Sequence, residues 1–339
     1  MPQSADPVRR IADAVLYEGY ILWPYRRSAM KNQHRWTFGG VYPKAHSEGR
    51  DDDPWTMETQ CLVEADGDAC VDVEVRFLHV VERTVGRETG AGLELVDELT
   101  VAGERHVAWD EAIEREVVAA GLRLSELERP REVPIEVPAG SEREDLLEPS
   151  GDRAGAVVRA WRALSGTIEV RAEPVGSALW RLGIRIANRS DWHGDDRADA
   201  LRQTFCSTHT VVRARSGEFV SLTDPPEHLR AAAEECDNAG TWPVLVGEEG
   251  DRRTLLSSPI ILPDYPQIAP ESPGDLFDGG EIDQLLTLSI LSLTEEERRE
   301  MRDSDPRARE ILERTESLSQ EELMRLHGAV REFQTSRAP

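Results

Sequence analysis

The 339-residue chain carries 65 acidic against 40 basic side chains, a formal charge of −25, with 39% apolar and only 6% aromatic residues. That length supplies one large or two ordinary domains and enough apolar residues for a packed core. The acid excess disfavours nucleic acid as a partner, no apolar run of about 18 residues is present to enter a membrane, and the start has no uninterrupted signal-type apolar core before Glu18, so a cytoplasmic location is expected.

The first distinctive segment runs from Tyr17 to Pro43, where Tyr17, Tyr20, Trp23, Tyr25, Trp36, Phe38 and Tyr42 flank the stretch RRSAMKNQHR. Arg26, Arg27, Lys31 and Arg35 make a cationic island in an acidic chain. Arginine and aromatic side chains anchor interfaces, and a guanidinium matches a carboxylate in a two-point fork. Trp23, Tyr25, Arg26, Arg27, Lys31, Asn32, Arg35 and Trp36 are therefore the candidate partner-binding residues. The same rings could instead fill a strand pair, and the same cations an internal ion-pair cluster.

From Thr59 to about Thr84, Val71, Val73, Val75 and Phe77 alternate with Asp72, Glu74 and Arg76, which predicts a half-buried strand. Asp66-Gly67-Asp68 reads as the turn of a hairpin. Over 107–121, Trp109, Ile113, Val117 and Ala120 fit one face of a helix, and a helix is expected there. Short strands are expected at 131–137 and 242–247. A second hairpin sets Ile168 and Val170 against Leu182, Ile184 and Ile186, joined through Pro174 and Gly176. A third is expected after Phe205, turning at Arg215-Ser216-Gly217. Pro225 opens a short helix to Cys236.

Residues 263–273 are too proline-rich for regular structure and read as a stiff connector. Beyond Gly280, helices are expected near 281–293, 294–303, 306–315 and 319–333, with Thr294/Glu297 and Ser319/Glu322 as capping boxes. The expected fold class is α+β: a mainly antiparallel β-sandwich-like body over 1–262, a connector over 263–280 and a C-terminal helical module over 281–339.

Cys206, His209 and the run Asp191-Trp192-His193-Gly194-Asp195-Asp196 hold the densest set of candidate ligands. His193, Asp195 and His209 could bind zinc for a metal-dependent hydrolase. Strand geometry, however, sends Cys206 and His209 to opposite faces, and the 191–196 run has the composition of a solvated loop. Ser207, Thr208 and His209 lack the surroundings of an activated nucleophile, and His79 reads as a core or edge histidine. Gly39-Gly40 lacks the spacing of a phosphate loop. Asp51-Asp52-Asp53 reads as solvated. The four cysteines, Cys61, Cys70, Cys206 and Cys236, include no Cys-x-x-Cys pair and are expected as thiols. No catalytic residue and no cofactor is assigned. An enzyme or a sandwich binding small anions or carbohydrates, with Arg26, Arg27, Lys31 and Arg35 holding the anion in the enzyme case, remains the alternative to a partner-binding protein.

The phrases YEGYILWPYRRSAMKNQHRWTFGGVYP, STHTVVRARSGEFVSLTDPP, GTWPVLVG, SSPIILPDYPQIAPESPGDLFDGGEIDQLLTLSILSLT and LMRLHGAVRE are carried over nearly the whole chain, least distinctly over 85–160. Through them the chain resembles an uncharacterised bacterial family encoded alongside the actinobacterial-type, high-affinity uptake nickel–iron hydrogenase. The resemblance implies an accessory role in assembly, maturation or stability, with a hydrogenase subunit or maturation protein as partner. Dispersed histidines and the lack of Cys-x-x-Cys speak against a metal-carrying role.

Overall fold

A computed structural model describes residues 7–18 and 38–266, together with helical positions at Glu295, Arg298, Arg299, Arg302, Arg309, Leu312 and Glu313. The chain divides into two compact units, Met1–Tyr20 with Arg35–Pro266 and Ile21–His34 with Gln267–Pro339. In the second unit only those helical positions are described, so the four expected C-terminal helices, apart from these positions, lie outside the described residues. Of the proline-rich connector, only 263–266 are described, without regular structure.

The first unit is mostly antiparallel β-structure. In chain order it contains α1 (Pro7–Glu18), α2 (Lys44–Ser47), β1 (Thr56–Glu64), β2 (Cys70–Thr89), β3 (Gly92–Val96), β4 (Glu98–Val101), β5 (Glu104–Val107) and β6 (Trp109–Arg123). There follow β7 (Arg131–Val137), β8 (Gly140–Leu147), β9 (Arg153–Trp161), β10 (Leu164–Gly176), β11 (Leu179–Asn188), α3 (Arg197–Leu201), β12 (Cys206–Ala214), β13 (Glu218–Val220), α4 (Arg230–Glu234), β14 (Trp242–Leu245) and β15 (Thr254–Ser258). One sheet has the order β13-β1-β11-β10-β7. The larger has the order β14-β15-β12-β2-β9-β8, with β3 and β6 also paired to β2, and β4–β5 form a separate ribbon.

Alternation builds the core between the sheets. Met57, Cys61 and Val63 of β1, with Leu182, Ile184 and Ile186 of β11, meet Val71, Val73, Val75 and Phe77 of β2 and Val212 of β12. Phe77 and Phe205 stack with ring centroids 4.6 Å apart. Each such aliphatic or phenyl side chain, once buried, contributes about 1.5–3 kcal/mol. The β10–β11 hairpin, β7, β14 and the short helix α4 stand where the sequence places them.

Two turn signals have a different meaning from the one expected. Asp66-Gly67-Asp68 and Arg215-Ser216-Gly217 do reverse the chain, but each carries it from one sheet to the other. β1 and β13 belong to the five-stranded sheet, and β2 and β12 to the larger one. The crossings lie side by side: Arg215 N donates to Cys70 O at 2.9 Å, and the Arg215 guanidinium reaches Asp72 at 2.8 Å. A two-residue period reports which face is buried; it does not distinguish pairing with the next strand from facing it across a core.

The helix expected over 107–121 is instead β6, paired with β2 from Arg83↔Trp109 to Cys70↔Arg123. A bulge breaks its alternation: Val71 opposes Leu122 but Val73 opposes Ala119, and Gly121 takes φ 67° with its N–H donating to Asp72 Oδ1 at 2.6 Å. The extra residue puts the buried Ala119 and Leu122 three positions apart, a helix-like spacing, while Ala120 is exposed. The long edge of β2 overrides the helical preference of the Ala- and Glu-rich stretch.

Candidate functional site

Both described flanks of the aromatic and basic segment pack on β12. Helix α1 places Val8, Ile11, Ala12 and Leu16 in buried positions at helical spacing, and it packs on β12 and β2. Asp13 of this helix accepts from Arg76 Nη2 at 2.6 Å, and Arg9 pairs with Glu116 at 3.2 Å. Arg76 is 1% exposed, and Glu114 lies 3.2 Å from the same nitrogen. Burial works against the guanidinium charge, but Asp13, Glu114 and Glu74 outweigh it and keep Arg76 more firmly protonated than usual.

The second flank, 38–41, runs along the start of β12. Ser207 N donates to Phe38 O at 3.1 Å, Thr208 N to Gly39 O at 2.9 Å, and Val41 exchanges two backbone bonds with Phe205. Gly39 has φ 56°, and a Cβ there would meet Pro259 Cγ at 2.6 Å, so only glycine fits. The candidate residues Trp23, Tyr25, Arg26, Arg27, Lys31, Asn32, Arg35 and Trp36 all lie outside the described residues.

The metal-ligand expectation fares differently at each of its residues. His209 is fully buried, with Nδ1 3.1 Å from Ser207 O, and burial pushes its pKa down to about 3. His193 stands on an exposed loop, 2.9 Å from Asp191, and Asp195 is exposed. The three do not come together, and among the described residues no group of three or more His, Cys, Asp or Glu could hold a metal ion. The expectation that strand geometry sends Cys206 and His209 to opposite faces is overturned. A bulge with Ser207 at φ 50° lets Cys206 oppose Leu78 and His209 oppose Arg76, so both point to the outer face of the larger sheet. There Cys206 is fully buried and its thiol is pushed up by burial. All four cysteines are free thiols. His79 is buried, 3.4 Å from an Arg115 nitrogen, and burial together with that cation lowers it to about 4.

The richest polar arrangement centres instead on His46, which the sequence did not single out. His46 of α2 is buried, 2.9 Å from Asp53, and stacks on Tyr42 at 5.2 Å. Its ring also meets Trp192 edge-on at 5.1 Å. Asp53, one of the aspartates expected to be solvated, is 7% exposed and takes Arg197 Nε at 3.2 Å; Arg197 also donates to the Tyr42 hydroxyl. Burial acts to raise the Asp53 carboxyl, yet His46 and Arg197 together hold it below the usual carboxylate range. Burial pushes the Tyr42 hydroxyl up, against the pull of Arg197. Trp192 Nε1 donates to Asp199 at 3.0 Å, and Arg162 holds the same carboxylate.

This buried network borders an open cleft of about 640 Å³ lined by Lys44, Glu48, Trp55, Arg189, Asp191 and His193, among others. One wall is α2. The other is the loop after β11, where Asn188 Nδ2 bonds Val41 O and Gln203 O, Ser190 N donates to Asn188 Oδ1, and Gln203 Nε2 donates to Asp191 O. Lys44 Nζ sits 4.8 Å from the Trp55 ring centroid. A second groove, near Gln60 and Arg171, encloses only about 90 Å³. The Asp191-Trp192-His193 run was a visible signal for this region; nothing in the sequence joins it to His46 and Asp53. In comparisons with known proteins, no family model, no curated protein and no solved structure matches the chain.

Proposed function

We propose that the chain is a non-enzymatic accessory protein for assembly, maturation or stability of an uptake nickel–iron hydrogenase, acting by protein–protein binding in the cytoplasm. The recognition segment in this reading is Trp23–Trp36, with the C-terminal helical module over 281–339 as a second element that packs or reaches for the partner. The observation that carries it is the anchoring of both segment flanks, α1 and 38–41, on the single strand β12. Fixing both ends of a binding segment on one strand reduces the conformational freedom that association would otherwise have to remove. The family resemblance supplies the identity of the partner class, a hydrogenase subunit or maturation protein. Deleting the gene in a hydrogen-oxidising host tests the reading: uptake activity or the amount of mature hydrogenase should fall and return with the gene supplied in trans. Normal activity and normal maturation in the deletion strain contradict it.

A further inference from the structure

We propose that the cleft between α2 and the loop after β11 binds a small carboxylate-bearing polyhydroxy compound, of the sugar-acid class. Its volume, about 640 Å³, is that of a small-molecule site. The proposal stands apart from the partner-binding role, since none of the cleft residues belongs to the Trp23–Trp36 segment.

The charge pattern selects the ligand. In a chain with 65 acidic side chains, most guanidinium groups of the sandwich are held by carboxylates, as Arg185 is by Glu58 at 2.9 Å. Lys44 and Arg189 are exposed and, among the described residues, have no carboxylate partner; one comes from each wall of the cleft. Two cations on one cleft with no carboxylate among the described residues to neutralise them, Lys44 held over Trp55 and Arg189 opposite, are suited to a carboxylate, which a guanidinium binds through two parallel hydrogen bonds. Trp55 is half-buried and lines the same cleft, with Lys44 Nζ 4.8 Å and the Arg185 guanidinium 5.5 Å from its ring centroid, so the indole positions Lys44 at the cleft.

Two acceptors complete the set. Glu48 is exposed without a partner among the described residues, and Asp191 touches only His193 through its carboxylate. Carboxylates accept hydrogen bonds and donate none, so they fit ligand hydroxyls and repel a bare dianion such as phosphate. The loop wall is already fixed by Asn188, Gln203 and the Trp192–Asp199 bond, and α2 is fixed from beneath by His46 and Asp53. A site held this way spends little of its binding energy on ordering itself.

Calorimetric titration of the full chain with glucuronate and galacturonate, beside glucose and inorganic phosphate, tests the proposal. A dissociation constant on the order of 0.1–1 mM is expected for at least one sugar acid, because exposed ion pairs are individually weak. The double variant Lys44→Met/Arg189→Met should bind at least about tenfold more weakly. Its unliganded melting temperature should stay near that of the wild type, since both side chains are exposed. Arg129→Met, an exposed cation outside the cleft, should bind as the wild type does. The proposal is overturned if neither sugar acid binds, if the double variant binds as tightly as the wild type, or if glucose or phosphate binds as well as the sugar acids.

Discussion

Asp13 and Arg76 join the first helix to the middle of the longest strand, 2.6 Å apart, with the guanidinium 1% exposed and the carboxylate 41%. The asymmetry decides what each partner is worth. Arg76 is the central cation among Asp13, Glu74, Glu114 and Glu116, whereas Asp13 is one of several acids around it.

Arg76→Ala should therefore be far more damaging than Asp13→Asn. Removing the buried cation strips Asp13 and Glu114 of their shared partner and empties a buried position, while Glu116 and Glu74 keep Arg9 and Arg213, a loss of up to roughly 3 kcal/mol. Removing one half-exposed acid should cost about 1 kcal/mol or less. Urea unfolding of the two variants measures the difference, and equal losses would show that the cluster does not share its charge in this way.

Gly217 should tolerate no side chain. It has φ 88° at the point where the two sheet crossings touch, and a Cβ there would lie 2.5 Å from Ala65 Cβ and 2.7 Å from Glu64 O. Gly217→Ala should destabilise by about 1–3 kcal/mol from crowding, in addition to its backbone strain. Gly151→Ala isolates the strain alone, since Gly151 has the same φ with nothing within 4 Å. Thermal melts should show the larger loss at Gly217.

Acid should weaken the fold through two groups in staggered, partly overlapping pH windows. The folded pKa of His209 is lowered to about 3 from 6.5, so its contribution is fully present above 6.5 and is lost as pH falls towards 3, while the unfolded chain takes up the proton. Asp53 is also depressed, so its contribution is present above the ordinary aspartate value of about 4 and disappears as pH falls through the folded pKa. The stability gap between wild type and Asp53→Asn should be clear at pH 7 and close in strong acid. An NMR titration should find the His209 imidazole neutral at pH 5; a midpoint near 6.5 would contradict its burial.

The sandwich was legible because alternation at Val71–Phe77 and Leu182–Ile186 reports faces directly. What pairs with what was not legible. The turns at Gly67 and Gly217 carry ordinary hairpin chemistry yet switch sheets, and the bulges at Gly121 and Ser207 each shift a phase that residue spacing alone assumes constant. The cleft was half legible: the Asp191–Asp196 loop stood out, but His46 and Asp53 are brought to it only by tertiary packing. Asp53 looked like surface charge because its partners, the buried His46 and the partly exposed Arg197, are 7 and 144 residues away in the chain.

Recognition of a hydrogenase-system protein through Trp23–Trp36 is the proposed role. Its most direct test is affinity purification of the tagged chain from a hydrogen-oxidising host under mild conditions, beside an Arg26→Ala/Arg27→Ala/Arg35→Ala variant produced at equal level. A hydrogenase subunit or maturation protein should copurify with the wild type and be lost with the variant. Recovery of no such protein with the wild type, or equal recovery with both, contradicts it.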